Sequence, residues 1–260
     1  MKKKKLHSKS SVPTAKIIIM SGYGLNCEEE TKFAFERAGG KADIVHINDL
    51  IDNPKKLLEY QVLAFPGGFS YGDDTGSGKA YANKFKNHLA KELREFLSRD
   101  TLAIGICNGF QIMTNLGILP GALTYNNGGK YLDRWVDLKA EGKSPWLKGI
   151  KNVSFPIAHG EGRYMISEKE YKNMKKSGEI AFTYAKGEIC KFQNLPQNPN
   201  GSNHDIAGIL AYNGRVLGMK PHPERAMFSH QSPLWYKGGK VEKNGAGLQI
   251  FKNAVNYFKK

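Results

Sequence analysis

The chain has 260 residues, 40% of them hydrophobic and 24% charged, which is enough apolar content to fill the core of one large α/β domain. Three widely separated cysteines argue against a disulfide scaffold and for a reducing compartment, the cytoplasm, and no apolar run is long enough to suggest a membrane helix. The formal net charge of +15 is scattered over lysines with no basic helix or RNA-binding signature, so it reads as solvated surface and not as a nucleic-acid footprint.

Residues 1–14 open with MKKKK and have no apolar run behind them, so a flexible basic tail is expected there, not a secretory signal. Residues 15–260 then form one domain. Ala15–Met20 is an apolar, β-branched run that predicts a buried strand. Asn26 is placed to cap a helix whose first turn carries Glu28, Glu29 and Glu30, where the dipole favours them, and Gly39–Gly40 ends it. A second strand is expected over Asp43–Ile47, a short helix over Pro54–Tyr60, and a third strand over Val62–Phe65. Ala80–Ser98 predicts a long helix with Phe85, Leu89, Leu93 and Phe96 on one stripe, and Leu102–Ile106 a fourth strand that runs into another helix.

Strands and helices alternating in this way build βαβ units and a parallel sheet, whose ligands sit beyond the carboxyl ends of the strands. The pattern changes after Pro120. Trp135–Leu138, Val153–Ala158, Asp205–Leu210 and Val216–Met219 read as strands joined by Asn/Gly-rich turns, the first two antiparallel, and the last two as a hairpin through Tyr212-Asn213-Gly214. A helix over Gly247–Phe258 closes the chain.

Three segments carry the chemistry. Gly105-Ile106-Cys107-Asn108-Gly109 has the spacing of a nucleophile elbow between a strand and a helix, whose N-terminus favours a thiolate. Taken alone it is equally an inert buried thiol. Pro221-His222-Pro223-Glu224 keeps His222 extended, so that His222 and Glu224 share a face and the carboxylate can orient the imidazole. By itself that is a surface histidine in a proline-rich turn; with Cys107 it completes a nucleophile, base and acid. Pro66-Gly67-Gly68 then exposes backbone N–H groups that, with Asn108, suit an oxyanion hole. Gly76-Ser77-Gly78-Lys79 is not a phosphate loop, because Asp73 stands where its first glycine belongs and Ala80 follows the lysine. Cys27 also begins a helix, but it lacks the glycine bracket and precedes three glutamates, while Cys190 has no such context. No cysteine or histidine spacing suggests a metal site.

With these residues in place the chain resembles the class I (triad) glutamine amidotransferases, and among them the glutaminase subunits of phosphoribosylformylglycinamidine (FGAM) synthase. The resemblance is carried, in order, by PGGFSYGD (66–73), GICNGFQIM (105–113), LGILPGAL (116–123), PIAHGEGRY (156–164), NPNGS (198–202), DIAGI (205–209) and GMKPHPERA (218–226). It implies a flavodoxin-like three-layer α/β sandwich with a mainly parallel central sheet and antiparallel additions in the C-terminal half. It also implies that Cys107 attacks the side-chain amide of L-glutamine, with His222 as base and then acid and Glu224 orienting it. Gly67, Gly68, Phe69, Asn108 and Gln111 would bind substrate or its oxyanion. His159 and Arg163 are shared with the family, and a structural loop competes there with a substrate or interface role. The resemblance implies no cofactor on this chain, with ATP and Mg²⁺ on a synthetase partner, and a small bridging subunit besides. Other readings are a stand-alone amidotransferase or cysteine hydrolase, and a non-catalytic binding protein, which would need neither elbow nor triad.

Overall fold

The computed structural model describes residues 14–74, 76–238 and 243–259. The basic tail read over residues 1–14 therefore lies, but for Thr14, outside the described residues. The elements in chain order are β1 (Lys16–Ser21), α1 (Glu28–Arg37), β2 (Lys41–His46), α2 (Ile47–Asp52), β3 (Val62–Phe65), α3 (Lys79–Ser98), β4 (Leu102–Ile106) and α4 (Asn108–Asn115). There follow β5 (Ala122–Thr124), β6 (Leu132–Ala140), β7 (Asn152–His159), β8 (Arg163–Met165), α5 (Glu168–Ser177), β9 (Ile180–Ala185), α6 (Glu188–Gln193), β10 (Ile206–Ala211), β11 (Val216–Met219) and α7 (Leu248–Tyr257).

Nine strands form one sheet in the order β2-β1-β3-β4-β11-β10-β9-β6-β7, with β5 and β8 paired separately. From β2 to β11 every pairing is parallel, and from β11 to β7 every pairing is antiparallel. This is the mixed sheet expected from the change of pattern after Pro120. Strand β1 shows why the parallel half is central. Ile17 and Ile19 pack on one face with Phe35 of α1 and Phe251 of α7. Ile18 and Met20 pack on the other with Phe85 of α3 and Phe110 of α4. Both faces are apolar because both are covered by helices, which makes three layers.

Sequence patterns placed most boundaries within two residues. Ile47 was expected to end a strand and instead begins α2, because the His46 side chain accepts a hydrogen bond from the Asn48 N–H. The short helix after Pro54 is a 3₁₀ segment, Pro54–Glu59. Asn26 does not cap α1. Cys27 takes that position, and its carbonyl accepts from the Thr31 hydroxyl at 2.7 Å. Helix α5 escaped the reading although Ser167 and Glu170 form a complete capping box at its start. Strand β9 was also missed, yet it lies in the middle of the antiparallel half. Among the described residues no helix is long and apolar enough to cross a membrane.

Candidate active site

The carboxyl ends of β3, β4 and β11 lie side by side, and each is followed by one of the three segments singled out above. At the end of β4 the chain turns sharply. Cys107 has φ 52° and ψ −104°, a conformation that costs a non-glycine residue energy and that persists because the surroundings enforce it. The bracketing glycines show how. A Cβ on Gly109 would stand 1.9 Å from the Phe65 carbonyl oxygen, and one on Gly105 would stand 2.6 Å from the Gly109 carbonyl oxygen. Strand and helix pack backbone against backbone, and no side chain fits between them. The Cys107 N–H donates to the Met219 carbonyl at 2.8 Å, which locks the turn to the end of β11.

His222 follows β11 in extended conformation, and its N–H donates to the Pro156 carbonyl on β7 at 2.8 Å. Pro223–Arg225 make a single 3₁₀ turn that brings Glu224 back, so that Nδ1 of His222 lies 2.5 Å from Oε1 of Glu224. Both side chains are buried, and the imidazole Nε2 has no hydrogen-bond partner among the described residues. Gly67 makes room for this ring, since a Cβ there would meet His222 Cε1 at 2.8 Å.

The charges settle the protonation states. Burial alone would push the Cys107 thiol up, but the cationic groups of Lys220 and His222 beside it bring it down to about 7. Burial likewise disfavours the His222 imidazolium, yet the Glu224 and Cys107 charges outweigh it and raise the ring to about 9. Between about 7 and about 9 the arrangement is a thiolate and imidazolium pair oriented by a carboxylate. Cys27 behaves oppositely. Burial first, then the Glu224 carboxylate, push its thiol far up despite the Arg225 guanidinium 3.0 Å away, so it stays protonated. Burial and Glu224 thus decide against Cys27 more than the glutamates next to it in sequence. Cys27, His222 and Glu224 hold donor atoms within 4.8 Å of one another, a spacing that suits a metal ion. A hydrogen bond already joins His222 Nδ1 to Glu224 Oε1, and the Arg225 cation lies on the Cys27 sulfur.

A cleft of about 140 Å³ opens onto the thiol, lined by Asn26, Cys27, Gly68, Phe69, Tyr131, Ala158 and Arg225 together with Cys107 and His222. Gly68 and Asn108 have N–H groups engaged by no partner among the described residues, which leaves both available to an oxyanion. The Phe69 N–H is spent on the Gly24 carbonyl at 2.8 Å, so Phe69 offers the cleft its ring and not a donor. Gly67 presents no free carbonyl either, since that group accepts from the Cys27 N–H.

One residue lies elsewhere than expected, and two make the contacts of the structural loop weighed above. Gln111 does not line the cleft. It donates to the Glu161 carbonyl at 2.7 Å and accepts from Asn108 Nδ2 at 3.0 Å, tying α4 to the turn after β7. His159 is buried with Nδ1 3.0 Å from the Asn126 side-chain oxygen, and burial with the Lys220 and His222 charges holds its pKa well below the ordinary value. Arg163 donates from Nε to the Gly201 carbonyl at 3.0 Å. The AHGEGR segment is thus a hydrogen-bonded turn beside the site. Two contributors escaped the sequence reading. Tyr131 offered no signal before its loop was placed. Lys220 did, since alternation puts it on the same side of the extended chain as His222.

The chain is similar to known proteins along nearly its whole length. Residues 14–258 match the family described as the CobB/CobQ-like glutamine amidotransferase domain. The phosphoribosylformylglycinamidine synthase subunit PurQ of Methanococcus maripaludis is 48% identical, over 94% of this chain and 98% of its own. The subunit of that name from Dehalococcoides mccartyi is 40% identical over 93% and 97%. In the structure of PurLQS from Thermotoga maritima, one chain superposes with a TM-score of 0.73 at 30% identity, over 95% of this chain and 100% of that one. By domain, by identity along nearly its whole length and by fold, the chain belongs to the glutamine amidotransferases, in the family of the PurQ subunits of phosphoribosylformylglycinamidine synthase.

Proposed function

We propose that this chain is the glutaminase of an FGAM synthase, cleaving L-glutamine at Cys107 and handing the ammonia to a synthetase partner. The observation that carries this is the meeting of a strained cysteine with a buried His222–Glu224 pair in one small cleft, in a chain of this family. The thiolate adds to the amide carbon, and the Gly68 and Asn108 N–H groups hold the oxyanion. His222 gives its Nε2 proton to the departing nitrogen, which leaves ammonia and a thioester. The neutral imidazole then takes a proton from water, hydroxide adds, and the thiolate leaves glutamate behind. Gly67 supplies the space for His222, Phe69 a wall of the cleft, and Gln111 the fixed turn at Glu161 that backs it. His159 and Arg163 hold the neighbouring turn in shape.

Residues 15–260 act as a single glutaminase domain. Ammonia released into neutral water is protonated and ceases to be a nucleophile, so it must pass directly to a synthetase. That partner holds the ATP and Mg²⁺, a small bridging subunit completes the assembly, and the complex works in the cytoplasm. No cofactor serves this chain.

Two expected results test the reading. Mixed with its synthetase subunits, ATP, Mg²⁺ and formylglycinamide ribonucleotide, the chain supports glutamine-dependent FGAM formation, and its glutamate release is stimulated by those additions. A glutaminase rate indifferent to all of them would instead mark a stand-alone enzyme. The second result concerns pH. Below about 7 Cys107 gains its proton, and above about 9 His222 loses the proton that ammonia needs, so kcat/KM for glutamine rises and falls with limbs near those values. A profile flat through pH 7, measured by glutamate release, contradicts the ion pair.

A further inference from the structure

The chain carries 39 lysines and arginines, and among the described residues only Lys220 is buried. A buried ammonium is stable only against an anion or a full set of acceptors. Its Nζ makes one hydrogen bond among the described residues, to Cys107 Sγ at 3.5 Å, and no carboxylate there comes within ion-pair distance of it. The backbone explains the placement. The Lys220 N–H donates to the Ala207 carbonyl at 3.0 Å, extending β11 by one residue, and the extended chain sends Lys220 and His222 to the same side. The fold therefore brings two bases to one sulfur.

The other titratable groups around the thiol do not supply that counter-charge. From β7, His159 is held uncharged by burial and its cationic neighbours. From β9 and the loop before β6, Tyr184 and Tyr131 are held in their neutral phenol form, chiefly by burial. From the start of α1, Cys27 stays a thiol. Glu224 is engaged with His222, and Arg225 with Cys27 and Glu30. Asp73 and Glu161 flank this region, and Asp73 senses the Lys220 charge without reaching ion-pair distance.

We propose that Lys220 is a catalytic residue: a second cation on the Cys107 sulfur, which keeps the thiolate formed whatever the protonation state of His222. The assignment deepens the reading above and rests on Cys107 being the nucleophile. It divides the labour between the two bases. Lys220 stabilises the thiolate and keeps its own proton throughout. His222 carries the proton that moves, to the departing ammonia and back from water. When the thioester is hydrolysed the C–S bond breaks with its electron pair on sulfur, facing Lys220 again, and a thiolate so stabilised is the better leaving group. The proton balance closes without Lys220 ever donating.

The test reads the thiolate itself and not glutamine turnover, so its failure is distinguishable from failure of the glutaminase reading. Carbamidomethylation of Cys107 by iodoacetamide is followed against pH by peptide mass spectrometry, which separates Cys107 from Cys27 and Cys190. In Lys220→Met the alkylation limb moves up by at least about one pH unit, so the rate at neutral pH falls about tenfold. In Lys220→Arg, which keeps the charge, the limb stays low. A Lys220→Met profile superimposable on the wild type overturns the assignment. So does a Lys220→Arg profile that follows Lys220→Met. Circular dichroism checks folding, and a second arm needs no change at 220. In His222→Asn the limb remains below that of an ordinary thiol if Lys220 holds the thiolate, and a limb at the ordinary value overturns it.

Discussion

Replacing Cys107 by alanine is expected to abolish glutamine-dependent FGAM formation in the assembled synthase, by about 10⁴-fold or more, while formation from added ammonia continues at the wild-type rate. The effect is this large because no other group can stand in. Cys27 lines the same cleft, yet burial and the Glu224 carboxylate hold it as a thiol. Cys190 is buried elsewhere, its thiol against the Leu195 carbonyl at 2.7 Å. Alanine also fits the site. It removes one sulfur from a turn whose geometry is enforced by Gly105 and Gly109 backbone packing and by the Cys107 N–H bond to Met219. The synthetase half then keeps its partner and loses only its internal ammonia. Glutamine use that survives in Cys107→Ala, measured by FGAM formation with each nitrogen source in turn, would refute the thioester route.

The second large effect is expected at His222. Asparagine is the informative replacement, because its side-chain N–H₂ sits near the position of Nδ1 and can still donate to Glu224. Histidine removal by alanine would leave a buried carboxylate unpaired and confuse stability with chemistry. With the proton carrier gone, kcat for glutamine hydrolysis is expected to fall about 10²- to 10⁴-fold, the usual share of general acid–base catalysis. The thiol should also titrate above about 7, since one of the two cations that lower it is lost. Thus alkylation at alkaline pH persists in His222→Asn while amide cleavage does not. Stopped assays of glutamate release beside the alkylation rate separate the two. Amide cleavage within a fewfold of wild type would remove His222 from the proton path.

The elements that sequence made legible are those whose pattern reflects both neighbours in space. Strand β1 is apolar at every position from Ile17 to Met20 because helices cover both of its faces, and that double burial is written in four consecutive residues. The elbow was equally legible, since its two glycines bracket Cys107 in one short run of chain, although the Phe65 carbonyl that Gly109 admits lies on β3. Helix α6 and strand β9 were not. Part of what holds α6 is remote: the Asp137 carboxylate on β6 accepts from the Cys190 N–H at 2.8 Å. Gln111 shows the same division within the site. Its spacing from Cys107 placed it one helical turn beyond the nucleophile, but whether it faces the cleft or the Glu161 turn depends on a segment some fifty residues away.

The sequence by itself determined the fold class, the parallel half of the sheet and the candidate trio Cys107, His222 and Glu224, because backbone sterics and short-range apolar spacing are local properties of the chain. Only the tertiary structure decided which cysteine ionises, which amides stay unengaged, and that Lys220 meets the sulfur. Those depend on burial and on charges brought together from α1, β3, β4, β7 and β11, and electrostatic energy follows distance in space and not distance along the chain.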